Sequence, residues 1–442
     1  MAMGLTRIGH TLRAAPIKRL FALVLLLSFA LAWSPGATAF PSIVEVNKEI
    51  TSPGLGPVSI VDMDGDGLND ILLVDGSGNL SVHFQDSSDQ DFPFNVTATV
   101  DSSVAKGMVV GLLDMDERAD IASFTDQSLV LNFQHPARMF VKSEIMLPFV
   151  PKAIEIGDLN GDLGDDIVLV GDTDTLVFFR NSAPPFYGLN ETYGNATGGD
   201  DVVLGDFGGS KGLDIAVSSS NEVHIFIQDT QGLSHNQTIG LNGSYASTSI
   251  GVGRFNSDGL DDIVVLRSNN GTGGIIEIYA QDENGGFALL QSVEDEHLAA
   301  DFSVGDLNDD ELSDIAVASD GDDSSVLLYI QRESTRSEFS FFSIGETTAP
   351  GGRIALGELN GDPYTDIVLR TQDTVSIFYQ DDFPPINNHI PSRIYFNKNT
   401  VGDNLIKLND YIKDDHSRLQ YAVIYESDPD LLHAVVDGVY LD

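Results

Sequence analysis

Four aspartates, Asp62, Asp64, Asp66 and Asp70, stand in the decapeptide VDMDGDGLND at residues 61–70. Carboxylates this close repel one another, and a hard cation that takes about six to eight oxygen ligands relieves the repulsion. Counted from Asp62 as position 1, Asp64 and Asp66 fall at positions 3 and 5 and point the same way round a tight loop. Gly67 at position 6 suits a turn that needs positive φ. Leu68 at position 7 offers a backbone carbonyl, and Asp70 at position 9 closes the ring. The expected chemistry is Ca2+ binding; the alternative is an acidic surface hairpin without metal.

The elements that hold this loop are strands. The first seven positions follow the calcium loop of an EF-hand, but position 12 is Leu73 rather than a bidentate glutamate. The flanks GPVSIV and ILLV are short apolar, partly β-branched runs and read as strands, not helices.

The pattern recurs. Asp158, Asn160, Asp162, Gly164 and Asp166 repeat it in GDLNGDLGDDIVLV, and Asp306, Asn308, Asp310, Leu312 and Asp314 in GDLNDDELSDIAVA. Asp206, Ser210 and Asp214 form a thinner copy. Asn256, Asp258 and Asp262 form another with Arg254 at position 1, and Glu358, Asn360, Asp362, Tyr364 and Asp366 a further one with Pro363 at position 6. A seventh, GLLDMDERADIASF, reads as degraded and two residues shorter when counted from Asp114 to Asp120. The closing aspartates, 70, 120, 166, 214, 262, 314 and 366, are 50, 46, 48, 48, 52 and 52 residues apart. A period near fifty is the length of one four-stranded propeller blade. In each period an apolar strand leads into the acidic loop, Asp-Ile-Val or a variant opens a second strand, and a polar turn precedes a third (LSVHFQ, VHIFIQ, VLLYIQ). A looser fourth strand follows. No window keeps a helical period. One blade cannot bury its own faces, so neighbours must stack.

The phrase GDLNGDLGDDIVLVG and its relatives resemble the FG-GAP/VCBS repeat family, which includes the seven-bladed propeller of integrin alpha chains. The resemblance spans about residues 40–382. It implies an all-β, seven-bladed propeller with calcium loops on one face, joining the first and second strands of each blade. It carries over most strongly to the loops at 62–70, 158–166 and 306–314. Arg254, Gly208 and Pro363 depart from the pattern, and a proline cannot adopt positive φ.

Composition sets the class. The chain has 442 residues and a formal charge of −44, from 67 acids against 23 bases. That argues against nucleic acid as a partner, which needs a basic footprint. There is no cysteine, hence no disulfide, and bound Ca2+ is the natural substitute staple. Arg13, Lys18 and Arg19, the apolar run LFALVLLLSFALAW at 20–33 and ATA at 37–39 read as a secretory signal over residues 1–39. The expected location is therefore secreted or cell-surface, without membrane insertion after cleavage. N-x-S/T sequons begin at Asn79, Asn95, Asn190, Asn195, Asn236, Asn242 and Asn270. Residues 383–442, after FPPINNHIP, resemble the start of a cadherin-like, dystroglycan-type sandwich, though too short for a whole one.

The nine histidines are scattered, and neither a phosphate loop nor a dinucleotide motif is present. The leading expectation is a non-catalytic, calcium-binding propeller for adhesion or extracellular recognition of a protein or glycan. Its binding surface is expected on the face opposite the metal loops or at the channel rim. The alternatives are a propeller region of a larger extracellular hydrolase or lyase, or a surface-layer spacer. The sequence leaves the ligand and the oligomeric state open. Because the last repeat meets Pro384 and Pro385 where a fourth strand should be, residues 42–50 are expected to supply that strand by pairing with 374–380.

Overall fold

Between residues 48 and 380 the computed structural model describes all but 52–53, 87–90, 100–104, 117, 137–138, 173, 189–190, 194–198, 209–211, 230–231, 244, 270–272, 296–297, 320–325, 332–338, 345–351 and 361–363. Beyond 380 it describes 386–387, 406–407, 412–413, 436–437 and 440–441.

Residues 45–380 form one compact unit. Its strands make seven four-stranded antiparallel sheets, the blades of a propeller. Blade 1 comprises Val58–Val61, Asp70–Val74, Asn79–Asp86 and Asp91–Thr99, paired in that order. The first strands of successive blades touch one another around the ring, and the last of them, Arg353–Gly357, returns to Val58–Val61. The innermost strands thus enclose the axis.

Each second strand begins at a closing aspartate, and its residues are buried throughout: DILLV, DIASF, DIVLVG, DIAVS, DIVVLRS, DIAVAS and DIVLR. Apolar runs of this kind have no solvent face, because a neighbouring blade lies on each side. The core is accordingly a series of clusters. One joins Leu113, Phe124 and Leu131 of blade 2 to Ile154, Leu169 and Phe178 of blade 3.

The ring closes as expected. Lys48–Thr51 is the outer strand of blade 7 and pairs antiparallel with Thr374–Phe378, in register from Lys48 opposite Ile377 to Thr51 opposite Thr374. Residues 42–47 lie outside the described residues.

The second unit comprises residues 1–44 and 381–442. In it Ile386–Asn387 pairs with Ile412–Lys413, and Tyr440–Leu441 lies between Ile406–Lys407 and Val436–Asp437. Among the described residues no helix is long and apolar enough to cross a membrane; the apolar run 20–33 lies outside them. Of the sequons, Asn236 and Asn242 are exposed, whereas the Asn79 amide donates to Asp75 Oδ2 at 3.0 Å.

Candidate metal loops

The closing aspartates hold the blades together. One oxygen of each accepts the N–H of position 2, from Met63, Leu113, Leu159, Phe207, Phe255, Leu307 and Leu359, at 2.7–3.1 Å. The other accepts a main-chain N–H at the end of the third strand, from Gln85, Gln134, Arg180, Gln228, Gln281, Gln331 and Gln380, at 2.6–2.9 Å. Every position-2 side chain is an apolar plug buried beneath its loop. A short carboxylate placed first in a buried strand can reach both amides, which no apolar residue could satisfy.

This geometry corrects the reading of blade 2. The Leu113 N–H meets Asp120 seven residues on, the same separation as Met63 to Asp70. The loop is therefore full length, and Leu112 stands at position 1 where other blades carry a charged residue. Asp114 and Asp116 occupy positions 3 and 5. Counting from the first acid gave a false start, because the apolar residue broke the pattern.

Three loops share one backbone path. Gly65 and Gly67, Gly161 and Leu163, and Asp309 and Glu311 all have positive φ, at positions 4 and 6. In each, the position-1 carboxylate turns inward over the loop amides. Asp62 accepts from Gly65 at 2.7 Å and Gly67 at 2.9 Å, Asp158 from Gly161 at 2.7 Å and Leu163 at 2.8 Å, and Asp306 from Asp310 at 3.2 Å and Glu311 at 2.8 Å. The position-5 carboxylates of Asp66, Asp162 and Asp310 accept the N–H of Leu68, Gly164 and Leu312, each at 2.9 Å. These are the loops at 62–70, 158–166 and 306–314.

Asp62, Asp64 and Asp70 each offer a carboxylate oxygen within 4.8 Å of the others, a spacing that one cation can span. The loops at 158 and 306 have an asparagine at position 3, so an amide oxygen replaces one carboxylate there. Asn308 is buried, and its Oδ1 accepts no hydrogen bond while its Nδ2 donates to Asp310 Oδ2 at 3.1 Å. An orphaned buried oxygen beside two carboxylates fits a hard cation.

The remaining loops are built otherwise. Arg254 extends to Asp261, with its Nε 3.7 Å from Oδ1, and is largely exposed. Asn256 Oδ1 accepts the Asp258 N–H at 2.8 Å, and Asp258 Oδ1 the Leu260 N–H at 2.9 Å. Asp206 Oδ1 accepts from Gly208 at 3.2 Å and Glu358 Oε1 from Asn360 at 2.8 Å. Tyr364 is buried. Ser210 and Asp362 lie outside the described residues.

Two sets of residues that link the loops are absent from the sequence reading. In several blades the position-8 side chain ties the loop to the blade before it: Asn69 Nδ2 donates to Glu358 O at 2.8 Å, Asp261 Oδ2 accepts from Asp206 N at 3.0 Å, and Ser313 Oγ from Arg254 N at 2.8 Å. The glutamine ending the third strand does the same. Gln331 Nε2 donates to Phe255 O at 2.9 Å, and Gln85 Nε2 donates to Leu359 O. The Gln that recurs at the end of the third strand in six of the seven blades was the available signal. Blade 3 carries Arg180 there, and its Nη1 donates to Asp114 O at 2.6 Å and Leu112 O at 3.3 Å in the blade 2 loop, which has leucine at position 1.

Burial pushes the closing carboxyls up, to about 7 for Asp70, Asp120 and Asp166 and about 6 for Asp262. Their accepted amide hydrogen bonds oppose the shift, and neighbouring loop acids add to it. Burial raises Asp314 well above the usual range as well. A carboxyl raised in the folded state favours folding most below its unfolded value near 3.8, and the benefit is lost as pH rises through about 6–7. The metal-free protein is therefore expected to melt at a lower temperature at pH 8 than at pH 5. Calorimetry in chelator at the two pH values checks this, and a melting temperature that rises with pH contradicts it.

Leu163 is at φ 67° and 88% exposed. A left-handed leucine costs roughly 1–2 kcal/mol, so Leu163→Gly is expected to stabilise the blade by about 1 kcal/mol, as read by urea unfolding.

No family model matches the chain, and no curated protein matches it either. Solved structures of BBS1N in complex with ARL6DN are similar in fold. In a lead-soaked crystal the match covers 77% of this chain and 98% of that one, at 12% identity and TM-score 0.53. In a mercury-soaked crystal the coverage and identity are the same and the TM-score is 0.55. At this identity the likeness speaks for the propeller fold alone.

Proposed function

We propose that this protein is a non-catalytic, calcium-stabilised propeller that presents its loops for recognition outside the cell, as the FG-GAP/VCBS resemblance implies. The observation that carries the calcium reading is the common geometry of the loops at 62–70, 158–166 and 306–314. In each, the loop amides already hold the position-1 carboxylate, and in blade 1 oxygens of Asp62, Asp64 and Asp70 lie within 4.8 Å of one another. Asp62, Asp64, Asp66 and Asp70 would hold the ion in blade 1, with the Leu68 carbonyl. Asp158, Asn160, Asp162 and Asp166 would do so in blade 3, and Asp306, Asn308, Asp310 and Asp314 in blade 6. Bound there, calcium supplies charge neutralisation and a cross-link between the first and second strands. The apparent signal at 1–39 and the charge of −44 support an extracellular setting.

Calcium titration of the metal-free protein by calorimetry is the test. Binding is expected to be graded, strongest at these three loops and absent at 112–120. Extracellular modules commonly have dissociation constants of about 10⁻⁴–10⁻³ M. At ten times that concentration each site adds roughly 1.4 kcal/mol. Asp62→Ala, Asp158→Ala and Asp306→Ala should each remove one equivalent. A protein that takes up no calcium, or binds it through the 112–120 loop, refutes the reading.

A further inference from the structure

The seven acidic loops act as internal controls for one another. At position 1 six of them carry a charged residue, and blade 2 carries Leu112. At position 4 the others have glycine, serine or aspartate, and blade 2 has Met115. At position 6 the others have glycine, glutamate, lysine or proline, and blade 3 has Leu163. These apolar replacements fall on two adjoining loops only. Asp165 Oδ2 accepts the Leu112 N–H at 2.6 Å, and Arg180 reaches across to Asp114 O at 2.6 Å, so the loops lie side by side. None of the three side chains is buried: Leu112 is 42%, Met115 62% and Leu163 88% exposed.

Packing does not explain them, and neither does conformation, since Leu163 occupies a backbone region that favours glycine. Strain and apolar exposure held together at one place point to a contact made with another molecule. The surroundings set its chemistry. Asp158 and Asp162 lie beside Leu163, and Asp114 and Asp116 flank Met115. Arg118 is spent on Asp116 at 2.7 Å, and Arg180 on main-chain carbonyls. A second copy of a chain of charge −44 would bring like charge to this acidic rim. A cationic segment would be drawn to it, and an exposed methionine adapts to varied apolar side chains.

We propose that the paired loops of blades 2 and 3 form a docking site for a protein segment in which lysine or arginine alternates with apolar residues. The site lies on the metal-loop face, not on the opposite face or the channel rim that the sequence suggested. The proposal rests on the recognition reading; its apolar contacts and the blade 2 acids Asp114 and Asp116 do not depend on calcium, which would neutralise only Asp158 and Asp162 in blade 3.

The probe is a 14-residue peptide alternating leucine and lysine, titrated by calorimetry in calcium and again in chelator. A serine–lysine peptide of equal charge is the control. The variant is Met115→Gly with Leu163→Gly, which places at each position the residue found in blade 1. It should melt no lower than the parent chain. The Leu–Lys peptide is expected to bind the parent at least tenfold more tightly than the variant, in both buffers, and at least tenfold more tightly than the Ser–Lys peptide does. Leu163→Asn, which tolerates positive φ, should give an intermediate loss and serves if the double variant does not fold. Equal affinity for parent and variant, equal affinity of the two peptides, or no binding overturns the site. So does a parent dimer that the variant loses, which would assign the patch to a second copy. Calcium uptake is measured in the same titrations, so failure of the calcium reading with peptide binding intact is distinguishable from failure of this one.

Discussion

Deleting residues 40–51 should abolish the single cooperative melting transition, while deleting 391–442 should leave it nearly unchanged. The short strand Lys48–Thr51 supplies the outer edge of blade 7, pairing with Thr374–Phe378. Ile50 packs against the cluster of Ile71, Leu73, Leu359, Val368, Val375 and Ile377, which joins blade 1 to blade 7. Losing the ladder hydrogen bonds, at about 1 kcal/mol each, and the burial of Ile50, at about 2 kcal/mol, costs roughly 5 kcal/mol in all. The deletion also opens a strand edge at the one junction where the ring is tied by the chain's two ends. Arg370 reinforces the closure, with Nη1 donating to Pro57 O at 2.9 Å and Nη2 to Gly54 O at 2.7 Å. Arg370→Ala should therefore destabilise in the same direction. Urea unfolding of the two truncations decides the matter; equal stability of both would show that closure does not depend on this strand.

Asp120→Ala is the second large effect. Asp120 is fully buried and holds the amides of Leu113, at 3.1 Å, and Gln134, at 2.6 Å. Alanine leaves both without an acceptor, at about 1–3 kcal/mol each, so a loss of roughly 2–5 kcal/mol is expected. Because its loop has Leu112 at position 1, the loss should be the same in calcium and in chelator. At Asp70, Asp166 and Asp314 the same substitution should cost more in calcium than in chelator, since there it removes a proposed ligand as well as a strand tie. A calcium-dependent loss at Asp120, or none at all, would mean that the closing aspartates do not have the structural role their hydrogen bonds describe.

Local pattern was enough to read much of this architecture. A period near fifty residues, an acidic loop between two apolar runs and prolines after the last third strand specify seven blades and a borrowed closing strand, because strand alternation and turn chemistry are local properties of a chain. The acidic loops at 62, 158 and 306 were legible as a pattern for the same reason: their proposed ligands lie within nine residues of each other. What the sequence did not determine depends on neighbours distant in the chain. Leu112 takes its place at position 1 only through the hydrogen bond of Leu113 to Asp120, which fixes the register that counting from the first acid had lost. The closing aspartates look like metal ligands in sequence, yet the fold also makes them the partners of strand-end amides 14–19 residues away. The glutamines and position-8 residues bridge blades, a relation that exists only once the ring has formed. The adjacency of Leu112, Met115 and Leu163 has the same origin. The two loops are about one repeat apart in the chain, and stacking one blade on the next brings them within hydrogen-bond distance of each other.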